Sequence, residues 1–556
     1  MDTSKIKADV AQEHERLSML DSLLSRLSDL NAIGAALSNE ENIDKLLENI
    51  LLAAKSITNA DAGTLYLVDA EHQVLTFEIL RTDSLNIKMG GTSGGRIPFA
   101  PIPLYVNGAP NLAMVVTYAA LRSETINIED AYVAQGFDFS GTKKFDAKTG
   151  YRSRSFLAVP MRNHEHEIIG VLQLINAIDP VSKEVKPFSK DDQQLLESLA
   201  SQAAIALSNR RLIQQLESLF EALISLINTA IDDKSPYTGG HCARVPVLTM
   251  LLAEAASSTH NGSSLQGFSM TEKEKYELKI AALLHDCGKI TTPVHVVDKS
   301  TKLQTIFDRI HLVDTRFEVL KRDAEIAVLR AELAAGGDAA VVGRARKEYA
   351  ASIARFDADR EFLRQCNSGS EKMADADQER VGAIAQYVWR NECGEQVGFL
   401  SVDEVENLTI RSGTLTAAER AIINHHIVVT IKMLESLPWP RHLKNVPEYA
   451  GGHHERMDGK GYPRGLTREQ MSVQARMMGI ADIFEALTAK DRPYKEGKTL
   501  TESLTILGKF KEGGHIDPDL FDIFIREKVY LTYARQFLDP AQIDEVDVCK
   551  IPGYTP

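Results

Sequence analysis

The stretch AALLHDCGKI (281–290) sets histidine beside aspartate, His285–Asp286, inside an otherwise apolar run. Polar groups in such a run need compensating partners, because an unpaired buried charge is strongly disfavoured. Further clusters in the second half of the chain supply them: His241 in YTGGHCARV (237–245), His425–His426 in NHHIVV (424–429), His453–His454 in GGHHERMDGKGYP (451–463), and Asp482 in MGIADIFEALTAKDRPYK (478–495). Imidazole and carboxylate together suit divalent Fe, Mn, Zn or Ni. One ion takes three or four protein ligands, so seven candidates, counting one of His425 and His426, suggest two adjacent ions bridged by a carboxylate. Such a pair stabilises both the attacking and the leaving oxygen of a phosphodiester displacement. Of the neighbours His425 and His426, only one can face a site easily from a single helix. The other nine of the 15 histidines read as ordinary surface or core residues.

The rest of the chain bounds what such a centre serves. At 556 residues it has room for two or three domains of about 100–200 residues each. The formal charge of −14 disfavours nonspecific nucleic-acid binding, although a local basic pocket could still hold a phosphodiester. No run approaches the ~18 uncharged apolar residues of a membrane span, and the N-terminus is polar and helical in pattern rather than a signal peptide. Five scattered cysteines fit a reducing cytoplasm better than a disulfide framework.

The first half has a different grammar. Residues 1 to about 55 read as helix, from Leu30, Ile33, Leu37 and later Leu46, Leu47, Ile50 and Leu51. Alternating runs at 62–69, 73–80, 155–161 and 168–177 read as strands, and a long helix begins near Phe188 and runs beyond residue 225. Together these predict an α+β sensor domain. In the exit helix Leu212, Leu216, Leu219, Leu223, Leu226 and Ala230 alternate spacings of four and three, a heptad seam that predicts a parallel coiled-coil homodimer. A second periodic block carries Ile306, Ile310, Val313, Phe317, Leu320, Ala324, Ala327 and Ala331, then the turn AAGGDAAVVG (334–343), then Tyr349, Ile353, Phe356 and Leu363. That pattern predicts an antiparallel helical hairpin.

The order H…HD…H…HH…D, with HDCGK and HHERMDGKGYP intact, resembles the HD-GYP branch of the HD phosphohydrolases from about Lys234 to Phe524. The resemblance implies an all-α domain with a metal centre, commonly iron or manganese, that hydrolyses cyclic di-GMP to linear pGpG, GMP or both. Carried over by position, it makes His241, His285, Asp286, His426, His453, His454 and Asp482 the metal ligands, with Asp286 bridging. It makes Lys289 a phosphate-binding group that protonates the leaving oxygen. Gly461, Tyr462 and Pro463 become the turn flanking the substrate, and Arg492 and Lys495 its basic contacts. Tyr237 stands where the tri-metal members carry Glu, so two ions are implied. His285 and His426 lie 141 residues apart, and removing 304–414 restores the family's spacing, which marks the hairpin as an insertion. TAKDRPY also holds one residue more than the commonest family spacing before Arg492.

Residues 20–208 resemble a GAF domain, most specifically in KKFDAKTGYRSRSFLAVPMRNHEHEIIGVLQLINAIDP (143–180), whose FDAKTGYRSRS portion is similar to GAF domains of mammalian cyclic-nucleotide phosphodiesterases. That resemblance implies cAMP or cGMP as effector, with Asp146, Thr149, Tyr151 and Asn176 as candidate contacts. The family's Asn-Lys…Phe…Asp-Glu signature is partial here, keeping Asn176, Phe188 and Asp192 but carrying Ala177 and Gln193. The expected organisation is therefore an N-terminal helix (1–19), a GAF sensor (20–208), a coiled-coil linker (209–233), an HD-GYP catalytic domain (234–545) with its insertion (304–414), and a tail (546–556). The expected protein is a cytoplasmic, homodimeric cyclic di-GMP phosphodiesterase with no nucleic-acid or membrane partner. The alternatives are an enzyme for another cyclic nucleotide such as cyclic GMP-AMP, and a catalytically silent signalling scaffold.

Overall fold

The computed structural model describes residues 28, 30–234, 240–259, 265, 267–369, 372–391, 393–490 and 497–555. The chain divides into two compact units, Met1–Phe220 and Glu221–Pro556. The predicted N-terminal helix 1–19 lies outside the described residues. Residues 30–39 are helical, and the predicted run to residue 55 is broken before α1 (Ile43–Thr58), where the Asn42 side chain accepts from Lys45 N as an N-cap.

The first unit is built on an antiparallel sheet of β1 (Ala60–Asp69), β2 (Val74–Thr82), β3 (Ile87–Gly90), β4 (Ile102–Pro103), β5 (Ile126–Ile128), β6 (Phe156–Arg162), β7 (Ile168–Ile178) and β8 (Val185–Lys186). The order along the sheet is β3-β2-β1-β7-β6-β5, with β4 added to β2 and β8 to β7. Side chains alternate between faces along each strand. Leu65, Leu67, Leu157, Val159, Leu172 and Leu174 meet Leu46, Leu47, Ile50 and Leu51 of α1. The same face meets Leu195, Leu196, Leu199 and Ala203 near the start of a long helix, α4 (Lys190–Lys234). Tyr66, Phe156, Ala158 and Val171 point the other way, against Val115, Val116 and Ala119 of α2 (Val115–Arg122). Each fully buried Leu or Ile stabilises by roughly 1.5–3 kcal/mol over its exposed state, which is why the period-two pattern fixes register here. Helix α3 (Ser140–Thr149) leads into β6.

The second unit is helical. Its first described elements are the end of α4, where Ile224, Asn228 and Ile231 are buried, and α5 (His241–Ser258). Then come α6 (Glu272–Leu284), α7 (Ile310–Ala334), α8 (Ala339–Asn367), α9 (Asp375–Ala385) and α10 (Val402–Leu408). They are followed by α11 (Ala417–Glu435), α12 (Val446–Gly451), α13 (Val473–Thr488), α14 (Leu500–Glu512), α15 (Pro518–Arg526) and α16 (Val529–Phe537). Capping boxes Thr271/Glu274 and Thr416/Glu419 fix the starts of α6 and α11. Helix α5 packs against α6, α13, α15 and α16, and α11 packs against α12 and the turn that follows α6.

Helices α7 and α8 form the hairpin predicted for the insertion, with Ile310, Val313, Phe317 and Leu320 buried against Phe356 and Leu363. Ile306 is not a seam residue: it precedes α7 and is 96% exposed. Residues 304–414 hold more than a hairpin. Met373, Val381, Ile384, Phe399 and Leu408 complete its core, and Val388–Arg390 pairs antiparallel with Gln396–Gly398.

Candidate metal centre

Helix ends, turns and two mid-helix positions carry the predicted ligands into one place. His241 is the first residue of α5, behind Gly240 in the left-handed region (φ 83). His285 caps α6, and Asp286 opens the 3-10 turn Cys287–Thr291. His426 sits within α11, His453 and His454 follow α12, and Asp482 lies within α13. Asp286 Oδ2 faces His241 Nε2 at 3.3 Å and His285 Nε2 at 3.2 Å, while its Oδ1 faces His426 Nε2 at 3.2 Å. Asp482 Oδ1 lies 3.2 Å from His241 Nε2. Three sets of ligand atoms converge, each within 4.8 Å: His241–His285–Asp482, His285–Asp286–His453 and His426–His453–His454.

The outer ring nitrogens say which inner ones are bare. His285, His426 and His453 turn Nδ1 to the carbonyls of Ala282 (2.8 Å), Ile423 (2.5 Å) and Ala450 (2.6 Å). A carbonyl only accepts, so Nδ1 carries the hydrogen and Nε2 offers a lone pair inward. Asp286 Oδ1, His426 Nε2 and His453 Nε2 are buried and have no hydrogen-bond partner. Leaving a buried polar atom unsatisfied costs about 1–3 kcal/mol, and three in one spot, all electron-pair donors, match a cation. The donor set of neutral imidazoles and carboxylates fits divalent first-row ions.

At His453, His454 and Asp286 protonation agrees with ligation, whereas at His241 the proton would have to leave before an ion binds. Burial first, then the neighbouring His454 and His285, holds His453 well below its usual value, and His454 is brought down to about 4, chiefly by burial. Burial would raise Asp286, but the Lys289 ammonium and then His285 hold its carboxyl well below the usual range. Burial would lower His241, but the carboxylates of Glu485, Asp286 and Asp482 outweigh it and raise the ring. Lys289 Nζ donates to Asp286 Oδ2 at 2.6 Å.

Gly288 explains how the turn reaches α11. A Cβ there would stand 2.1 Å from the His426 carbonyl oxygen, and the Gly288 N–H donates to Thr430 Oγ1 at 2.9 Å. Gly288→Val should therefore separate the turn from α11, lowering stability by about 2–4 kcal/mol and weakening ion binding. Denaturant unfolding and metal titration check both effects. Gly461 is similarly constrained, since a Cβ would stand 2.4 Å from Arg456 N.

The first unit holds a second candidate site. A cavity of about 420 Å³ lies between the sheet and α2–α3, lined by Thr64, Tyr66, Phe77, Phe139, Tyr151 and Gln173 among others. Tyr66 OH donates to Gln173 Oε1 at 3.1 Å, and Tyr151 OH donates to Asp61 Oδ2 at 2.7 Å.

Comparison with known proteins finds a domain family in each unit. A GAF domain model matches residues 42–207, and two HD domain models match 238–358 and 395–520. The chain carries a GAF domain followed by an HD domain. It is 43% identical over 81 residues to 3′3′-cGAMP-specific phosphodiesterase 1 of Vibrio cholerae, covering 15% of this chain and 19% of that protein. It is 36% identical over 116 residues to a cyclic di-GMP phosphodiesterase of Pseudomonas aeruginosa, covering 21% and 27%. It is 27% identical over 205 residues to dual 3′,5′-cyclic-AMP and -GMP phosphodiesterase 11A of Takifugu rubripes, covering 36% and 21%. These alignments span between 19% and 27% of the relatives' lengths.

In the HD domain all seven predicted ligands lie together, and it is His426 that is buried there while His425 is exposed. Tyr462 stacks on His454 with ring centroids 4.8 Å apart, and the Tyr462–Pro463 peptide is cis. Arg492 and Lys495 lie outside the described residues. In the GAF domain only Tyr151 of the four predicted contacts lines the cavity. Asp146 instead accepts from Ser153 N and Oγ (both 2.8 Å) and from Tyr132 OH (2.8 Å). Thr149 Oγ1 donates to Phe145 O, and Asn176 accepts from Arg154 N while donating to Arg152 O and Tyr151 OH. Those three side chains are hydrogen-bonded to the segment around α3 and the loop before β6. Sequence reasoning missed Glu485, buried one turn after Asp482 on α13, whose carboxylate takes the His241 Nδ1 hydrogen bond. An acidic residue three positions after a ligand on an apolar helix was the signal that could have found it. Among the described residues no helix is long and apolar enough to cross a membrane.

Proposed function

We propose that the HD domain is a metal-dependent phosphodiesterase for cyclic dinucleotides, with cyclic di-GMP the first substrate and 3′3′-cGAMP the alternative. The observation that carries this reading is Asp286 standing between two sets of imidazoles, one oxygen toward each. His241, His285, Asp286 and Asp482 would hold one divalent ion, and Asp286, His426, His453 and His454 the other, iron or manganese in each. When bound, such ions supply Lewis-acid polarisation of the phosphoryl oxygens and offset the charge that develops on them. The chain's own groups do the rest. Lys289 is placed at the Asp286 carboxylate to bind a phosphate oxygen and to donate a proton to the leaving ribose oxygen. Tyr462, packed on His454, offers the flank against which a nucleotide is oriented. Arg492 and Lys495 are assigned the second phosphate or a base edge. The names of two relatives, one specific for 3′3′-cGAMP and one for cyclic di-GMP, support the substrate class and leave the base preference to kinetics. Initial rates on the two dinucleotides, followed by chromatography to linear product or mononucleotide, decide it; a failure to cleave either one sinks the reading.

The GAF cavity is assigned a small regulatory ligand, cAMP or cGMP, for which Phe77 and Phe139 offer ring faces and Gln173 and Tyr151 polar groups. Titrating the full chain with each nucleotide tests this: saturable binding that changes turnover supports it, and turnover unchanged at saturation overturns it. The heptad leucines support a parallel homodimer. Leu212, Leu216, Leu219, Leu223 and Leu226 are 50–67% exposed along α4, an apolar stripe that a second copy would cover. Light scattering should give twice the 61.4 kDa chain mass, and Leu216→Glu/Leu223→Glu should give the monomer. A monomeric unaltered protein contradicts the seam.

A further inference from the structure

The four imidazoles that point Nε2 at Asp286 or its neighbours are not held alike. His285, His426 and His453 each donate Nδ1–H to a neutral backbone carbonyl three residues back. His241 opens α5, so no carbonyl of its own helix precedes it. Its Nδ1 meets Oε2 of Glu485 instead. Glu485 is 0% exposed, and its other oxygen accepts from Arg244 Nε at 2.7 Å. Arg244 lies one turn after His241 on α5, and Glu485 one turn after Asp482 on α13. The carboxylate therefore ties together the two helices that each deliver one ligand to the same side of the centre. Tyr533 and Thr488 also stand near this group, and neither brings a second negative charge.

We propose that Glu485 is a positioning residue that orients His241 and, as the one anionic outer partner among these four histidines, tightens the ion on the His241–His285–Asp482 side. On the other side, His426 and His453 have neutral carbonyls as their outer partners among the described residues. This rests on the two-ion reading above. A carboxylate accepting from the outer nitrogen fixes the ring and strengthens the inner nitrogen as a donor, and losing such a partner costs roughly 10–100-fold in metal affinity. Arg244 balances the buried charge, which would otherwise be disfavoured.

The test is calorimetric titration of the metal-stripped full chain with Mn²⁺, with the electron paramagnetic resonance signal followed in parallel. The unaltered chain should bind two ions per chain and show an exchange-coupled pair. Glu485→Gln keeps the shape and an acceptor but loses the charge, and should weaken one of the two binding events about 10–100-fold. At one equivalent of Mn²⁺ it should give an uncoupled signal. Glu485→Leu with Arg244→Leu removes both buried charges and should leave one tight ion; if it does not fold, Glu485→Gln alone decides. His454→Ala should weaken the other event. Two undiminished events in Glu485→Gln, or equal weakening of both, overturn the proposal. Fewer than two ions in the unaltered chain would instead overturn the two-ion reading beneath it.

Discussion

Asp286→Asn is expected to lower turnover of cyclic di-GMP by on the order of 10³-fold or more, about 4 kcal/mol of barrier. Asp286 is 1% exposed and faces His241 and His285 with one oxygen and His426 with the other. Asparagine keeps the volume but replaces one oxygen by an NH₂ that can only donate, and it removes the negative charge between two cation sites. An ion held by one set of imidazoles would then meet an NH₂ where it needs a shared electron pair. Lys289 also loses the negative charge of its 2.6 Å partner, so its ammonium is held less firmly at the mouth. Steady-state kinetics with metal content measured on the same sample checks this. A variant that keeps wild-type turnover would remove Asp286 from the reaction.

Removing divalent ions should destabilise the HD domain and leave the GAF domain nearly unchanged. The three unsatisfied atoms, Asp286 Oδ1, His426 Nε2 and His453 Nε2, all belong to the second unit. Binding at 100 times the dissociation constant stabilises by about 2.7 kcal/mol per ion, so two ions contribute roughly 5 kcal/mol. At about 2–4 °C per kcal/mol for domains near this size, the HD melting transition should fall by roughly 10 °C or more on chelation. Scanning calorimetry before and after chelation, then after adding back manganese, measures it. A transition indifferent to metal would mean that the buried donors are satisfied in some other way.

What the sequence discloses follows from how strongly each pattern is forced. The strand runs at 62–69 and 168–177 appear as Ala60–Asp69 and Ile168–Ile178 because one face of each must meet α1 and α4. The candidate metal ligands are legible because adjacent polar residues in an apolar run must be compensated where they are buried, and an ion would do that for several at once. Residues 83–150 were not legible: β3, β5 and α3 are short, and much of their surface stays exposed, so no period stands out. The pairing of Val388–Arg390 with Gln396–Gly398 escaped for the same reason. Asp146 and Asn176, read as ligand contacts, do not line the cavity. Both are buried and polar, as ligand contacts often are, yet their hydrogen-bonding capacity is used on the neighbouring backbone. Glu485 was hidden because its partner lies 244 positions away, and only the packing of α5 on α13 brings them together.

Whether this HD centre cleaves cyclic dinucleotides is asked most directly by product chromatography. The full chain, loaded anaerobically with iron or manganese, is incubated with cyclic di-GMP and with 3′3′-cGAMP beside a His285→Ala/Asp286→Ala control. Linear dinucleotide or mononucleotide should accumulate with the unaltered chain and be absent from the control and from the metal-stripped protein. Two ions bound per chain with neither dinucleotide consumed would contradict the account.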